Sequence, residues 1–408
     1  MMGDSKAPLW GRVADSVASL IPENPHRTQE GKPRLLIVGA GMMGREHLRV
    51  TQQLGWAEVQ GIVDPFNASV EWAQSDWALL SSQPLQVYAD LRDACLDSAV
   101  DAIVICSPNH THYDVLKIVC ESGKPILLEK PMATTLADAL EVVRVASEYP
   151  SVIQLGMQYR FKAQYVEALF EIRAKASLGP VKTVAMSEYR PPFLDKVDQW
   201  NKFNRQSGGM LVEKCCHYFD LMNVITASRP KKIYASGGRG VNFLDFEWQG
   251  ELSDIDDHAM VIIDYDNGIR ASFTLNMFCQ ELYEELVVVG ERGRLVASEQ
   301  ASFHPDTPSE ARLQVEVPGH PAYRPQGVGY PPWIEETGHY GATFFEHIAF
   351  HQQLAGETVD AATPQQALWS LIVASAAQHS MAMGQAVEVA AFCAQEGVGD
   401  FFEGHGVG

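Results

Sequence analysis

Lys130 stands between Glu129 and Pro131, directly after the apolar run Ile126-Leu127-Leu128. A lysine fixed at the carboxyl end of a buried strand stands where open α/β sheets bind their ligands. Burial would favour its neutral form and fit it for proton transfer near neutral pH. The proline behind it stiffens the backbone and ends the strand. Taken alone, the tripeptide also suits a surface lysine at a strand-to-loop junction, so its weight depends on its company.

Gly39-Ala40-Gly41-Met42-Met43-Gly44 follows the apolar run Leu35-Leu36-Ile37-Val38 and opens a helix-like stretch from Arg45 to Leu54. Three glycines in this spacing are a weak signal alone. A strand before, a helix after and Asp64 at the end of the next strand, twenty residues past Gly44, make them a dinucleotide fingerprint. Gly39 permits the tight turn. Gly41, with Met42 and Met43 behind it, lets backbone N–H groups approach a pyrophosphate at the helix N-terminus, and Gly44 lets helix and strand pack. Asp64 would accept hydrogen bonds from the adenosine ribose and repel a 2′-phosphate, so NAD is expected over NADP.

A third group begins at Gly208-Gly209 and runs through Glu213, Lys214, Cys215, Cys216 and His217 to Asp220. On one continuous helix, at about 100° per residue, Leu211, Cys215, Tyr218, Met222 and Ile225 share a face, and Glu213, His217 and Asp220 lie roughly opposite. The polar stripe is either a solvated face or an acid/base cluster. Glu213 and His217 lack further spaced ligands, so no metal site is expected. The two adjacent cysteines read as helix packing.

The surrounding elements define how these groups are held. Strand-like runs at 35–38, 59–63, 102–106 and 126–128 alternate with helical stretches, and Thr135 and Asp138 have capping-box spacing. That grammar predicts a doubly wound parallel sheet of Rossmann type. After about residue 155 the pattern changes. Ala271, Phe273, Leu275 and Met277 alternate with polar residues, Asp266-Asn267-Gly268 is a hairpin turn joining them to the strand 259–265, and 286–289 is a further strand. A mostly antiparallel open-sheet domain with helices is therefore expected to follow. The divisions are an N-terminal extension over 1–33, pinned by Trp10, a Rossmann domain over 34–155, a substrate-binding and oligomerisation domain over 156–390 and a tail over 391–408. Residues 303–336 read as a long loop or lid, and Thr363-Pro364 as the start of a helix reaching Met383.

The composition bounds the partners. The chain has 408 residues, 46% hydrophobic and 20% charged, as in ordinary globular proteins of two domains. Its net charge of −20 argues against nucleic acid and anionic membranes. Seven irregularly spaced cysteines fit a reducing cytoplasm. No apolar run is long enough to span a membrane, and 13–21, broken by Asp15 and ended by Pro22, makes a poor signal peptide.

Taken together, the fingerprint, Ser107-Pro108-Asn109 with His112, the Glu129-Lys130-Pro131 tripeptide and the Gly-Gly segment leading to His217 and Asp220 resemble the Gfo/Idh/MocA oxidoreductases, over residues 34–385. The resemblance implies a dehydrogenase oxidising a secondary hydroxyl of a sugar, glycoside or inositol, or reducing the keto form. Lys130 and His217 would be its acid/base pair, the nicotinamide would lie between the domains, and the chains would assemble as dimers or tetramers. Ser107, Asn109, His112 and Glu129 would line the cofactor. Glu213 would join the catalytic group by orienting Lys130 or His217 or by binding a neighbouring hydroxyl, and Gln158, Arg160, Trp200 and Asn204, with Glu213, would line the substrate. Such dehydrogenases usually carry aspartate where Glu213 stands, which leaves the role of Glu213-Lys214 open. Two alternatives share the fold: a glycosidase that oxidises its sugar transiently with NAD, and a sensor that binds the dinucleotide without chemistry.

Overall fold

The computed structural model describes residues 17–27, 31–302, 309–322, 324 and 327–407. The short apolar runs form five parallel strands: β1 (Arg34–Val38), β2 (Glu58–Val63), β3 (Ala102–Ile105), β4 (Ile126–Glu129) and β5 (Ile153–Gly156). Their order is β2-β1-β3-β4-β5. Every residue of β3, β4 and β5 is buried, because helices cover both faces of the sheet. The chain crosses to opposite sides of β1 to form β2 and β3. This switch point opens a crevice at the carboxyl ends of the strands. The Thr135 hydroxyl caps the helix Leu136–Glu148 by accepting from Asp138 N at 3.1 Å.

The second sheet contains β6 (Val181–Tyr189), β7 (Pro230–Gly238), β10 (His258–Tyr265), β11 (Arg270–Asn276), β12 (Leu282–Gly290), β13 (Gly293–Ala301), β14 (Glu310–Glu316) and β15 (Val387–Glu388). A small separate ribbon pairs β8 (Glu247–Trp248) with β9 (Glu251–Leu252). The order β14-β13-β12-β6-β11-β10-β7-β15 is antiparallel throughout except for β6 beside β11. The alternation along β11 is that of a sheet covered on one face: Ala271, Phe273 and Leu275 are buried. The helix Pro364–Met383 packs on β7 from that face, held at its start by the full capping box of Thr363 and Gln366. The opposite face carries exposed Tyr234, Met260 and Ile262.

Three expectations are corrected. Residues 310–316 of the supposed lid form edge strand β14, and Pro332–Glu335 is a helical turn whose neighbour Tyr330 is buried and donates to Phe161 O at 2.7 Å. Apolar alternation there was hidden among charged residues. The expected tail over 391–408 is folded through its described residues: the helices Val389–Gln395 and Gly399–Gly404 fold back so that Phe401 and Phe402 flank Trp369. The stretch from Met210 to Thr226 is two helices, Met210–Glu213 and Cys216–Thr226, broken at Lys214 and Cys215, so the single-helix stripe does not hold. Trp10 lies outside the described residues.

Candidate active site

The crevice at the switch point is a cavity of about 670 Å³. Gly39 takes φ +93°, and a Cβ there would meet the backbone of Cys106 and Ser107 at 2.7 Å. A Cβ on Gly44 would meet Gly39 O at 2.0 Å, so turn, helix and strand can close only with glycine at both positions. Gly41 has nothing within 4 Å of its Cβ direction and lines the cavity with Met42 and Met43, at the N-terminus of the helix Met42–Leu54. Backbone N–H groups and the helix dipole there suit a phosphate. Asp64, at the end of β2, lines the same cavity. Its two oxygens accept from Ala40 N at 2.7 Å and Phe66 N at 2.8 Å, which leaves lone pairs for a ribose. The shape and donors fit a dinucleotide.

Ser107, Asn109 and His112 line the cavity beyond the pyrophosphate end. His112 joins two loops, with Nδ1 at 2.7 Å from Pro131 O and Nε2 at 2.8 Å from Ser107 O. Asn109 Nδ2 donates to Ser207 O at 3.2 Å, linking the two domains across the opening. Glu129 is also at the wall. Its Oε2 accepts from Lys130 N at 3.1 Å, and its Oε1 lies 3.1 Å from His47 Nε2. His47 Nδ1 in turn lies 2.8 Å from Nε2 of His347, on the helix Ala342–Leu354. Burial alone would raise the Glu129 carboxyl, but His47 and Lys130 outweigh it, and the net shift is downward.

Lys130 reaches across to the second domain, donating from Nζ to Glu213 O at 3.1 Å. Burial would lower its pKa, yet the negative charges of Glu213 and Glu129, with Cys216 nearby, raise it above its ordinary value. The expectation of a neutral lysine is therefore corrected: it stands at the wall as an ammonium. The Glu213 carboxylate takes Lys196 Nζ at 3.0 Å rather than Lys130 or His217. Burial opposes its ionisation, but Lys130 and Lys196 hold its carboxyl well below the usual range. Lys196 Nζ also lies 4.3 Å from the ring of Trp200, which lines the cavity. The neighbouring Asp198 and Gln199 hold φ of 51° and 53°, a strained pair of the kind found where a loop meets a ligand.

His217 is buried and lines neither this cavity nor a second, smaller one. Its ring stacks on Tyr159 at 4.1 Å with a 5° interplanar angle, and Tyr159 lines the smaller cavity. Burial and the cations Lys130 and Lys214 push the imidazole pKa well down, so it is neutral, and Nδ1 has no hydrogen-bond partner among the described residues. Three expected substrate residues sit away from both cavities. Arg160 is buried and bidentate to Asp220, at 2.7 and 2.6 Å, with Gln366 Oε1 at 3.0 Å. Asn204 pairs with Asp254. Gln158 is buried on the turn before Arg160. Residues that the sequence reading passed over are Lys196, Tyr159, Glu188 and Arg190, and Lys214, whose role it left open, joins them. Lys214 Nζ donates to Tyr159 OH at 2.6 Å and lies 3.0 Å from Glu188 Oε1. Among the described residues no group of three His, Cys, Asp or Glu is arranged to hold a metal ion, and no helix is long and apolar enough to cross a membrane.

A Rossmann domain with a dinucleotide cradle, whose lysine-bearing wall is completed by the segment 195–200 and Glu213 of the second domain, defines a two-domain nicotinamide-type oxidoreductase. Residues 34–157 match the oxidoreductase family described as an NAD-binding Rossmann fold, and residues 174–389 match its C-terminal alpha/beta domain. The chain belongs to this Gfo/Idh/MocA family and is an oxidoreductase acting on CH–OH groups. It is 27% identical to the uncharacterized oxidoreductase YrbE of Bacillus subtilis, over 64% of this chain and 72% of that protein. To an inositol 2-dehydrogenase of Rhizobium meliloti it is 24% identical, over 65% of this chain and 76% of the other. Among solved structures, levoglucosan dehydrogenase in complex with NADH and levoglucosan superposes with a TM-score of 0.70 at 17% identity, over 88% of this chain and 99% of that one. The apo scyllo-inositol dehydrogenase of Lactobacillus casei gives 0.67 at 20% identity, over 88% and 99%. At these identities the superpositions speak to the fold.

Proposed function

We propose that the enzyme uses NAD to oxidise a secondary hydroxyl of a sugar, glycoside or inositol, or reduces the corresponding ketone. The observation that carries this reading is the Lys130 ammonium, half-buried in the wall of the dinucleotide cavity and held to the Glu213 carbonyl. When bound, the cofactor supplies the hydride acceptor. Lys130 hydrogen-bonds the reacting oxygen and stabilises the negative charge that develops there, commonly the largest catalytic contribution. The neutral imidazole of His217 has a free nitrogen to take the hydroxyl proton. Glu213 anchors Lys196, and Trp200 presents an apolar ring at the wall. The exposed Tyr234, Met260 and Ile262 on the open sheet face suit pairing of two copies, hence a homodimer or homotetramer.

The direct test follows absorbance at the NADH band with NAD and a panel of inositols, pyranoses and glycosides, with NADP in parallel. NAD-dependent growth of the signal with a neutral polyol is expected. Silence across the panel would defeat the reading. The carboxylate of Asp64 at the cavity wall is the reason for preferring NAD. Replacing Asp64 by Ser together with Pro65 by Arg is expected to raise the NADP-to-NAD ratio of kcat/KM by about tenfold or more, since it removes a repelling charge and adds a phosphate partner. A wild-type preference for NADP would show that Asp64 does not act this way.

A further inference from the structure

His47 stands three residues past Gly44, on the helix Met42–Leu54 whose first turn belongs to the cradle, and it is fully buried. Its ring is held at both ends. Nε2 lies 3.1 Å from Glu129 Oε1, and Nδ1 lies 2.8 Å from His347 Nε2 on the helix Ala342–Leu354 of the second domain. A carboxylate only accepts, so the proton between His47 Nε2 and Glu129 belongs to His47. The other Glu129 oxygen accepts from Lys130 N at 3.1 Å. The slot is shaped for this carboxylate: Gly156 faces Glu129 across β4 and β5, and a Cβ there would meet the Glu129 carboxyl carbon and Oε2 at 3.0 Å. Three bonds in series thus run from His347, in the second domain, to the main chain of Lys130.

The surrounding groups make the charge on Glu129 matter. Its acidic neighbours are occupied or neutral. Glu46 lies 2.8 Å from His339 Nδ1 and accepts from the Thr343 hydroxyl. Glu346 is buried, and burial with the charges of Glu129 and Glu46 pushes its carboxyl well up, so it is protonated. Burial likewise raises the Cys106 thiol and lowers the His112 imidazole, which leaves both uncharged. Lys130 is faced by Glu213 and Cys216 from the second domain and by Glu129 from its own, against the cations Arg190, Lys196 and Lys214 and beside the neutral His217. A buried carboxylate stays ionised only while hydrogen-bonded or paired. Without the His47 donor, burial would neutralise Glu129, and Lys130 would lose one of the charges that favour its ammonium form.

We propose that His47 is a positioning residue for the reaction: it holds the Glu129 carboxylate as an anion beside Lys130, and that anion keeps Lys130 an ammonium. The effect on turnover rests on the part given to Lys130 in the dehydrogenase reading, but the charge of Lys130 can be read without turnover. The purified enzyme is labelled with acetic anhydride, which acylates only free amines, and each lysine is followed by peptide mass spectrometry. Glutamine places its amide nitrogen near Nε2 of an imidazole, and asparagine near Nδ1. His47→Gln therefore keeps the donor to Glu129, while His47→Asn keeps only the group facing His347. At about pH 9, Lys130 is expected to label roughly threefold or more faster in His47→Asn than in the wild type, as its free-amine fraction grows, and within about twofold of wild type in His47→Gln. His47→Leu should behave as His47→Asn; if one of them fails to fold, the other is compared with His47→Gln. A core that had only loosened would also expose Lys162, which is 1% exposed and paired with Glu284, so its labelling should not change. With NAD and myo-inositol, His47→Asn should lower kcat about tenfold with KM within about twofold, and His47→Gln should recover most of the loss. Equal labelling of Lys130 in wild type and His47→Asn, equally fast labelling in His47→Gln and His47→Asn, or a parallel rise at Lys162 overturns the proposal. The expected labelling in an enzyme that oxidises no polyol upholds it while the dehydrogenase reading fails; polyol oxidation with Lys130 labelling unchanged in every variant does the reverse.

Discussion

Lys130→Met is expected to bind NADH as the wild type does, measured by nucleotide fluorescence, and to turn over at least about a hundredfold more slowly. Methionine keeps an unbranched stem of similar length, so the slot beside Glu213 remains filled and the cavity keeps its shape. What disappears is the ammonium. Because Glu213 and Glu129 hold that ammonium in its charged form despite burial, its part is to stabilise an oxyanion rather than to release a proton in the neutral range. The pH profile separates the two roles. His217 must be neutral to take a proton, and burial with the adjacent cations moves its pKa well below 6.5, so the acid limb of kcat/KM lies under that value. Loss of the Lys130 proton comes only above 10.5. A plateau from about pH 7 to 10 is therefore expected for these two groups. Near-native turnover of Lys130→Met removes the lysine from the chemistry, and a limb near pH 8 would return it to a titrating acid/base.

Much of this site was legible because its parts are local. Gly39, Gly41, Gly44 and Asp64 lie on one strand-turn-helix-strand unit, so spacing alone carries their geometry. The same holds for Lys130, fixed by the strand before it. The charge state of Lys130 was not legible, since it depends on Glu213, which arrives from the other domain. Nor was the break at Lys214, because periodicity cannot show that Lys214 must leave a regular helix to reach Glu188 and Tyr159. The row Glu188, Glu284 and Glu299, buried side by side on β6, β12 and β13, is spread over more than a hundred residues and exists only once three strands are in register. A glutamate within an apolar alternation, as in Leu282-Tyr283-Glu284-Glu285-Leu286, is the one trace it leaves in the chain. Edge strand β14 and the packed C-terminal helices were missed for a related reason: short amphipathic pieces look like loops until their partners are known.

Arg160 illustrates how a site-like signal can belong to stability. Its guanidinium grips Asp220 with two bonds and Gln366 with a third, so it joins the turn Gln158–Phe161 to the helices Cys216–Thr226 and Pro364–Met383. Side-chain exposures of 5% and 2% leave neither partner within reach of water. Arg160→Met would strand the Asp220 carboxylate in the core, which typically costs about 3–5 kcal/mol. For a domain of this size that corresponds to a fall in melting temperature of roughly 6–20 °C. Replacing Asp220 by Leu in the same chain should recover part of the loss, because the uncompensated charge goes with it. At temperatures where the Arg160→Met enzyme remains folded, KM for a polyol should stay within about twofold of wild type, since the side chain lines neither cavity. An unchanged melting temperature with KM raised tenfold would instead mean that Arg160 turns toward the substrate, and that the grip on Asp220 is broken when the site is filled.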